Sequence, residues 1–373
     1  MKRIVLVGGG TGGHFYPLIA VAEHLRAHTE ISSQMDLYYL GPNPYNKTDL
    51  DTHGIKYVWC PAGKRRKYFS PLNVIDFFKN IIGIFVAVWK LYVIYPDLVF
   101  SKGGYTSVPV VLAAWFLRIP IVIHESDSRP GSANKLAAKF ARYIAISFDE
   151  VAEFFPAPKT ALTGIPIRTE LTVPVTNPAE TLGLPTDKPI IFVTGGSLGA
   201  ERINFLILQT LDELLPHFTI IHQTGPAEQE KVKTMAVSLI KDEALLANYF
   251  IKGSLTAAEM NCAQLAAELI ISRAGAGSIF EIAYKKKPSL LIPIPEDISH
   301  DQRSNAYAYA RTGAAVVLEE GNLTDGLLTT EILNILNNRE KYETMSRAAT
   351  EFTTGDAAEK ILALMVEIAD EHI

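Results

Sequence analysis

At 373 residues the chain is longer than one hydrophobic core usually supports, so two domains are expected. It is 48% hydrophobic and 20% charged with a formal net charge of −5, a globular composition that excludes a disordered chain. Its two cysteines, Cys60 and Cys262, have no metal-ligand spacing, which argues for a reducing compartment and against a disulfide framework, with a single pair left open.

The charge is shared unevenly between the two halves. Residues 1–158 carry 17 Lys and Arg against 12 Asp and Glu, a net charge of +5, and would therefore meet an anionic surface more readily than the rest. The amino-terminal apolar run, Ile4–Val7, is too short for a signal peptide and predicts a first β-strand. No stretch is expected to reach the roughly 20 apolar residues of a membrane-spanning helix.

A glycine-rich loop follows this first strand and leads into a predicted helix. The loop at residues 8–14 reads GGGTGGH and formally contains the G-x-G-x-x-G of dinucleotide-binding folds. An NAD site also needs an acidic residue at the end of the second strand. The predicted second strand, Asp36–Leu40, instead ends in Gly-Pro-Asn-Pro, so a dinucleotide site is not expected.

Residues 64–95 combine a basic cluster with an apolar helix. The cluster, Lys64–Lys67, reads KRRK, and Ile81–Tyr95 is apolar on every face apart from Lys90. A helix that is apolar all round is usually buried. A basic cluster beside it is typical of a membrane-surface patch. Core packing is the favoured interpretation, although one helix can serve both roles.

Strands and helices then alternate to the end of the first half. Predicted strands at Asp97–Ser101 and Pro120–His124 lead into a GGY turn at residues 103–105 and into HESDSRPGSAN at residues 124–134. Prolines between residues 174 and 189 mark a linker. A second strand, glycine turn and helix follow, with TGGSLGA at residues 194–200.

The most informative stretch is residues 269–305. A short strand at Leu269–Ile271 runs into the small-residue turn Arg273–Gly277 and then a helix. Free amide groups and the helix dipole make such a helix N-terminus a phosphate site. A structural alternative exists, because Ser278 and Glu281 also fit a capping box and Glu281 and Lys285 an i,i+4 pair. The chain is predicted to be helical after Asp325, ending with a helix over 357–368.

These motifs, in this order, resemble the MurG family of UDP-N-acetylglucosamine transferases, glycosyltransferase family 28. The resemblance is carried by GGGTGGHFYP at 8–17, GGYTSVP at 103–109, HESDSRPGSANK at 124–135, TGIPIR at 163–168, GGSLGAERIN at 195–204, SRAGAGSIFEIA at 272–283 and QRSNA at 302–306. It implies an α/β GT-B fold of two Rossmann-like domains facing across a cleft. Residues 1–164 with about 355–373 would form the acceptor and membrane-facing domain, and residues 165–354 the donor domain.

The resemblance also implies the reaction. This is inverting transfer of N-acetylglucosamine (GlcNAc) from UDP-GlcNAc to the 4-hydroxyl of lipid I, undecaprenyl-pyrophosphoryl-MurNAc-pentapeptide, which gives lipid II for peptidoglycan synthesis. It implies no cofactor, no metal and no nucleic acid, and a peripheral position against the anionic cytoplasmic face of the plasma membrane. Asp49-Leu50-Asp51 matches the D-x-D metal motif of some glycosyltransferases, but it is interpreted as a solvated polar loop.

Family roles carry over residue by residue. His14 is the candidate base and Glu125 the alternative. The residues implied on the donor side are Thr11, Gly12, Gly13, Asp127, Arg168, Ser197, Gly275, Ala276, Gly277, Ser278, Glu281 and Gln302. Those implied on the acceptor side are Gly103, Gly104, Tyr105 and Asn134. Among them, Glu281 would hold the ribose hydroxyls, Ser197 and the turn Ala276–Ser278 the diphosphate, Arg168 the uracil and Gln302 the sugar.

The chain departs from the family pattern at four positions. Ser126, Asp127, Ile165 and Leu198 stand where the family usually has Gln, Asn, Asn and Gln, and that asparagine before the proline-glycine turn contacts the transferred sugar. Three other functions therefore stay open. They are a UDP-GlcNAc 2-epimerase, a transferase acting on diacylglycerol or another lipid, and a non-catalytic nucleotide-sugar or lipid binding module.

Overall fold

A computed structural model describes residues 1–28, 32–64, 70–196, 199–296, 300–353 and 355–371. The chain divides into two compact units. Unit 1 comprises Met1–Thr169 and Gly355–Ile373, and unit 2 comprises Glu170–Thr354. The predicted change of domain after residue 164 lies just before this boundary.

Unit 1 is built on a parallel sheet. Its strands are β1 Lys2–Gly8, β2 Met35–Gly41, β3 Ile55–Trp59, β4 Leu98–Gly103, β5 Ile121–Glu125, β6 Tyr143–Ile146 and β7 Thr160–Leu162, in the order β3-β2-β1-β4-β5-β6-β7. The helices between them are α1 Gly12–Ala27, α2 Lys47–Thr52, α3 Leu72–Ile94, α4 Val108–Phe116 and α5 Ser132–Ala137. Central strands such as β1 are continuous apolar runs because helices cover both faces of the sheet.

Unit 2 repeats this plan with a second parallel sheet. Its strands are β8 Ile190–Thr194, β9 Thr219–Gln223, β10 Tyr249–Lys252, β11 Leu269–Ser272, β12 Ser289–Leu291 and β13 Ala315–Val317, in the order β10-β9-β8-β11-β12-β13. Its helices are α6 Pro178–Thr181, α7 Glu201–Leu214, α8 Gln229–Leu239, α9 Glu243–Leu246, α10 Ala257–Ala266, α11 Ala276–Tyr284, α12 His300–Ala310, α13 Asp325–Leu336 and α14 Arg339–Phe352.

The last helix, α15 Ala357–Glu371, belongs to unit 1. Its apolar face, with Ile361, Leu362 and Met365, joins the core that α1 forms against the sheet. The chain therefore crosses between the units twice, once after Thr169 and once before α15.

Both sheets have a topological switch point at their centre. The first strand of each unit lies beside the fourth, β1 beside β4 and β8 beside β11, and the chain winds outward in opposite directions from each pair. Open α/β sheets bind their ligands beyond the carboxyl ends of the strands at this point. The four glycine turns of the sequence follow these four strands, so in each unit the motifs lie at the end of the sheet where this rule expects a ligand.

Two predictions about α3 are wrong. By length and composition alone this 23-residue helix could cross a membrane, although no segment was expected to reach that length. It is also not a core helix, because only a narrow face is buried, formed by Asp76, Gly83, Ala87, Leu91 and Ile94. A Cβ at Gly83 would lie 2.1 Å from the carbonyl oxygen of Pro61, so this glycine is what lets α3 lie close against unit 1.

The outward face of α3 is an aromatic and aliphatic stripe. Phe78, Ile82, Phe85, Trp89 and Tyr92 repeat at helical spacing and are all exposed, Phe85 at 72% and Trp89 at 64%. Of the predicted basic cluster Lys64–Lys67, only Lys64 lies within the described residues, and it is exposed. The D-x-D residues form part of the short helix α2, capped by Asn46, and not a loop as predicted.

Candidate functional site

The amino terminus of α11 is open. Gly275 is the N-cap and α11 begins at Ala276, so Ser278 lies in its first turn and the capping-box interpretation of Ser278 and Glu281 is wrong. The first-turn amide groups of a helix have no intrahelical acceptor. A Cβ on Gly277 would meet no described atom within 4 Å. Packing of the described residues therefore does not require glycine at 277, and the space beside its Cα is open.

The turn after β8 lies beside this helix terminus in the sheet order. Thr194 Oγ1 donates to Gln223 Oε1 at 2.8 Å and accepts from the amide of Gly196 at 3.1 Å, which fixes the start of the turn. Gly199 has a φ of +80°, and a Cβ there would lie 2.1 Å from the carbonyl oxygen of Thr224, so only glycine fits. Ser197 lies outside the described residues.

Glu281 lies one turn into α11 and is half-buried. Its Oε2 accepts a hydrogen bond from Gln264 Nε2 of α10 at 3.3 Å. Lys285, the C-cap residue of α11, is buried, and burial lowers its pKa to about 8 against the opposing charge of Glu281. Lys285 Nζ donates to the carbonyl oxygen of Leu171 and to Asn261 Oδ1, so it ties α11 to the segment that enters unit 2.

Gln302 and Arg168 are both held by neighbours of their own unit. Gln302, on α12, accepts a hydrogen bond from the amide of Ile294 at 3.3 Å, which places it beside the loop after β12. Arg168, at the end of unit 1, lies with its guanidinium carbon 4.4 Å from the centroid of the Tyr16 ring, a cation–π contact. The Arg168 guanidinium therefore packs against the Tyr16 ring on α1 of unit 1.

His14 lies in the first turn of α1 beside the GGY turn. Its Nδ1 is 2.9 Å from Oγ1 of Thr11, the N-cap residue of α1, whose next residues are Gly12 and Gly13. Burial and, second, the charge of Lys102 lower the pKa of His14 to about 4. This lowered pKa agrees with the neutral imidazole that the sequence predicts at working pH, with burial as its main cause in place of the helix dipole.

The GGY turn after β4 needs both of its glycines. Gly103 and Gly104 have φ values of +85° and +77°. A Cβ on Gly103 would lie 2.7 Å from Asn134 Oδ1, and one on Gly104 would lie 2.9 Å from the carbonyl oxygen of Gly9. The turn is thus packed between the first glycine loop and Asn134, with Tyr105 opening a 3-10 turn.

Glu125 is the last residue of β5 and only 3% exposed. Its Oε1 accepts from the amide of Asp127 at 3.1 Å, and its Oε2 accepts from the amide of Gly131 and from Asn134 Nδ2, both at 3.0 Å. A carboxylate held by three donors organises the turn from 126 to 131 and the start of α5. This engagement makes Glu125 a weaker base candidate than His14.

Sequence reasoning missed Lys102. It lies on β4 and is 1% exposed. Its Nζ donates to Oγ of Ser126, in the turn that follows β5. Burial lowers its pKa to about 8, although the charges of Glu125 and Asp127 oppose that shift. The available signal was a single lysine inside an apolar strand, directly before a glycine turn.

Within the described residues no group of three or more His, Cys, Asp or Glu side chains is arranged to hold a metal ion. Asp49 and Asp51 of α2 are separated by the buried Leu50. Cys60 and Cys262 are both free and buried.

The two domains of one sequence family match most of the chain. Residues 4–146 match the glycosyltransferase family 28 N-terminal domain, and residues 190–361 match the glycosyltransferase family 28 C-terminal domain. The chain belongs to glycosyltransferase family 28. This family 28 member is a UDP-sugar hexosyltransferase, and its two parallel sheets have the GT-B-like architecture that the sequence predicts.

Two curated relatives of this family 28 chain are named for the same transferase activity. It is 36% identical over 347 residues to the UDP-N-acetylglucosamine--N-acetylmuramyl-(pentapeptide) pyrophosphoryl-undecaprenol N-acetylglucosamine transferase 2 of Bacillus cereus, which covers 92% of this chain and 94% of that protein. It is 38% identical to the Lachnospira eligens transferase, whose name is the same without the number, over 92% of this chain and 93% of that protein.

Solved structures show the same architecture. The crystal structure of Acinetobacter baumannii MurG is similar with a TM-score of 0.76 at 25% identity, covering 98% of this chain and 100% of that one. A structure of S. aureus MnaA with UDP has a TM-score of 0.71 at 16% identity, covering 100% of this chain and 98% of that one. At that identity it shows a shared fold alone.

Proposed function

We propose that this family 28 transferase moves GlcNAc from UDP-GlcNAc to the 4-hydroxyl of lipid I with inversion, giving lipid II. The names of its relatives support both substrates. The observation that carries the proposal is the open amino terminus of α11, with free space at Gly277 and a carboxylate, Glu281, one turn further on. Amides that attract an anion, next to a carboxylate that accepts hydrogen bonds from hydroxyl groups, suit a nucleoside diphosphate sugar.

On the donor side, the diphosphate would accept hydrogen bonds from the amides of Ala276–Ser278 and of the turn at residues 195–199, together with Ser197. The ribose hydroxyls would donate to Glu281, the sugar would contact Gln302, and the uracil would lie near Arg168. Thr11, Gly12, Gly13 and Asp127 would complete the donor contacts from unit 1. As UDP departs, negative charge grows on the diphosphate, and fixed N–H groups stabilise it. The proposed mechanism therefore uses neither a metal nor a cofactor.

On the acceptor side, His14 is the proposed base. With its Nδ1–H donating to Thr11, the imidazole leaves the Nε2 lone pair free for the proton of the acceptor hydroxyl. The hydroxyl oxygen then forms its bond to the anomeric carbon while the bond from that carbon to the UDP oxygen breaks on the opposite face. Gly103, Gly104, Tyr105 and Asn134 would shape this side, with Glu125 holding the turn that carries Asp127.

We propose that unit 1 binds the cytoplasmic face of the plasma membrane, where lipid I is embedded, through α3. Its exposed stripe of aromatic and aliphatic side chains is the kind of apolar patch that marks a lipid or protein contact. Trp and Tyr suit the membrane interface, and the sequence cluster Lys64–Lys67 adds charge that attracts anionic lipids. Because the small buried face of α3 keeps it against unit 1, the association would be peripheral.

A transfer assay with radiolabelled UDP-GlcNAc tests this function. Three reactions are compared, with lipid I, with diacylglycerol and with no acceptor, all in the same detergent. We expect labelled lipid II from lipid I alone. Label on diacylglycerol would reassign the acceptor, and release of free N-acetylmannosamine would identify a 2-epimerase. UDP binding without any turnover would leave a binding module.

A further inference from the structure

A chain of buried hydrogen bonds leads from β10 to the glycine turn after β8. His222 on β9 is fully buried, and it lies between Tyr249 on β10 and Asn204 on α7, which are also buried. His222 Nδ1 is 2.6 Å from the Tyr249 hydroxyl oxygen, and His222 Nε2 is 3.0 Å from Asn204 Oδ1. Asn204 Nδ2 in turn donates to the carbonyl oxygen of Thr224 at 2.9 Å. Three strands and helices of unit 2 are thus joined through one imidazole.

The direction of every bond in this chain follows from the donors available. The Thr224 carbonyl can only accept, so the amide nitrogen of Asn204 faces it and the amide oxygen faces His222. That amide oxygen also only accepts, so His222 carries its proton on Nε2. Burial lowers the pKa of His222 to about 3, which keeps the imidazole neutral. Its Nδ1 is therefore an acceptor, and the Tyr249 hydroxyl donates to it.

The Thr224 carbonyl at the end of this chain is where the glycine turn packs. Gly199 has a φ of +80°, and a Cβ there would lie 2.1 Å from that carbonyl oxygen. The preceding residue, Gln223, fixes the start of the turn, because its Oε1 accepts from Thr194 Oγ1, which accepts from the Gly196 amide. Successive residues at the end of β9 therefore hold both ends of the turn.

We propose that His222 is a positioning residue for the diphosphate of the donor, because it holds Asn204 in the orientation that fastens α7 and the glycine turn to the end of β9. This deepens the proposed function and rests on it. A neutral imidazole suits the position because it donates on one side of its ring and accepts on the other. Phenylalanine would leave Asn204 Oδ1 and the Tyr249 hydroxyl buried without this partner, and the turn would lose its fixed support.

Binding of UDP, measured by calorimetry, and of uridine, measured by NMR titration, tests this role because uridine lacks the diphosphate. His222→Phe removes both hydrogen bonds of the ring, whereas the side-chain amide of His222→Gln can still donate to Asn204. We expect His222→Phe to raise the Kd for UDP by roughly tenfold or more and to change the Kd for uridine by about twofold or less. His222→Gln should recover most of the UDP affinity.

Two controls separate positioning from general stability. His217→Phe makes the same substitution at an exposed histidine of unit 2 and should change neither Kd. Ile335→Ala opens a cavity in the hydrophobic core of unit 2 and should lower the urea unfolding midpoint without changing either Kd. If His222→Phe does not fold, Tyr249→Phe takes its place, because it removes only the hydroxyl that donates to His222. It should give a smaller loss of UDP affinity, about threefold, with uridine binding kept.

A loss of UDP affinity alone, recovered by His222→Gln, supports the positioning role. Equal losses for UDP and uridine, no loss in a folded variant, or the same selective loss in Ile335→Ala overturns it and leaves His222 a structural histidine. Wild-type protein that binds UDP no more tightly than uridine would instead overturn the diphosphate site of the proposed function, before any variant is compared.

Discussion

Replacing Glu281 tests the donor site most directly. The carboxylate lies one turn beyond the open amides of α11 and accepts a hydrogen bond from Gln264 at 3.3 Å. In the proposed complex it also accepts from ribose hydroxyls, and unpairing such buried polar groups costs about 1–3 kcal/mol. Glu281→Ala should therefore raise the Kd for UDP by roughly 5- to 150-fold.

A second substitution separates binding from structure. Gln264 is buried, and Glu281→Ala leaves its Nε2 without this acceptor, so stability should also fall by about 1 kcal/mol or more. Glu281→Gln keeps one oxygen that can still accept from Gln264, and it replaces the other with an amide NH2 group that can donate to a ribose hydroxyl but cannot accept from one. We expect near-wild-type unfolding for Glu281→Gln and a smaller loss of UDP affinity, about tenfold or less.

Isothermal calorimetry with UDP gives the Kd, and urea unfolding gives the stability. Glu230→Ala, an exposed acidic residue of unit 2 on α8, is the matched control and should change neither. An unchanged Kd for UDP in a folded Glu281→Ala variant would refute the ribose role. Glu281 would then be a helix residue that simply holds Gln264.

Three further predictions concern catalysis, metal independence and the membrane. His14→Ala should lower turnover by about 10²–10⁴-fold with UDP affinity kept. In the wild type the neutral imidazole should persist until the pH falls towards the His14 pKa of about 4, so only below that should its protonation remove activity. Near-full turnover of His14→Ala would contradict this, and a dead Glu125→Gln alone would not identify the base, since its new amide N–H would face existing donors. Asp49→Ala with Asp51→Ala should leave turnover near wild type, and a loss that tracks divalent-ion dependence would show a metal mechanism. Glutamine at all four positions of Lys64–Lys67 should weaken co-sedimentation with anionic vesicles, most clearly at low salt, and unchanged binding would make the cluster an ordinary solvated segment.

Much of the fold could be read from the order of local patterns. Short apolar runs followed by glycine turns, such as Ile4–Val7 before residues 8–14, predict strands because a strand buried on both faces has no polar alternation. The glycine turns then indicate which strand ends bind a ligand. Element limits were less accurate, because α11 begins at Ala276 and places Ser278 inside its first turn. That shift removes the predicted capping box.

The burial of a residue could not be read in the same way. A helix apolar on every face predicts a core position, yet most of α3 is exposed, because only a narrow face of the helix meets the rest of unit 1. Glu125 was equally ambiguous, since a carboxylate after a strand suits a base as well as a turn organiser. Its three donors, from Asp127, Gly131 and Asn134, become visible only when the turn is folded.

The sequence by itself therefore determined the family, the succession of strands and helices along the chain, and the positions of the glycine turns, because these depend on local composition and spacing. Tertiary structure alone decided which charges are enclosed together. Lys102 lies 23 residues before Glu125 in sequence, and no local pattern indicates that β4 pairs with β5. The pairing of these two strands brings the buried ammonium of Lys102 near Glu125, Asp127 and Ser126. Electrostatic interaction depends on distance and burial in three dimensions, and neither is encoded in the spacing of residues along the chain.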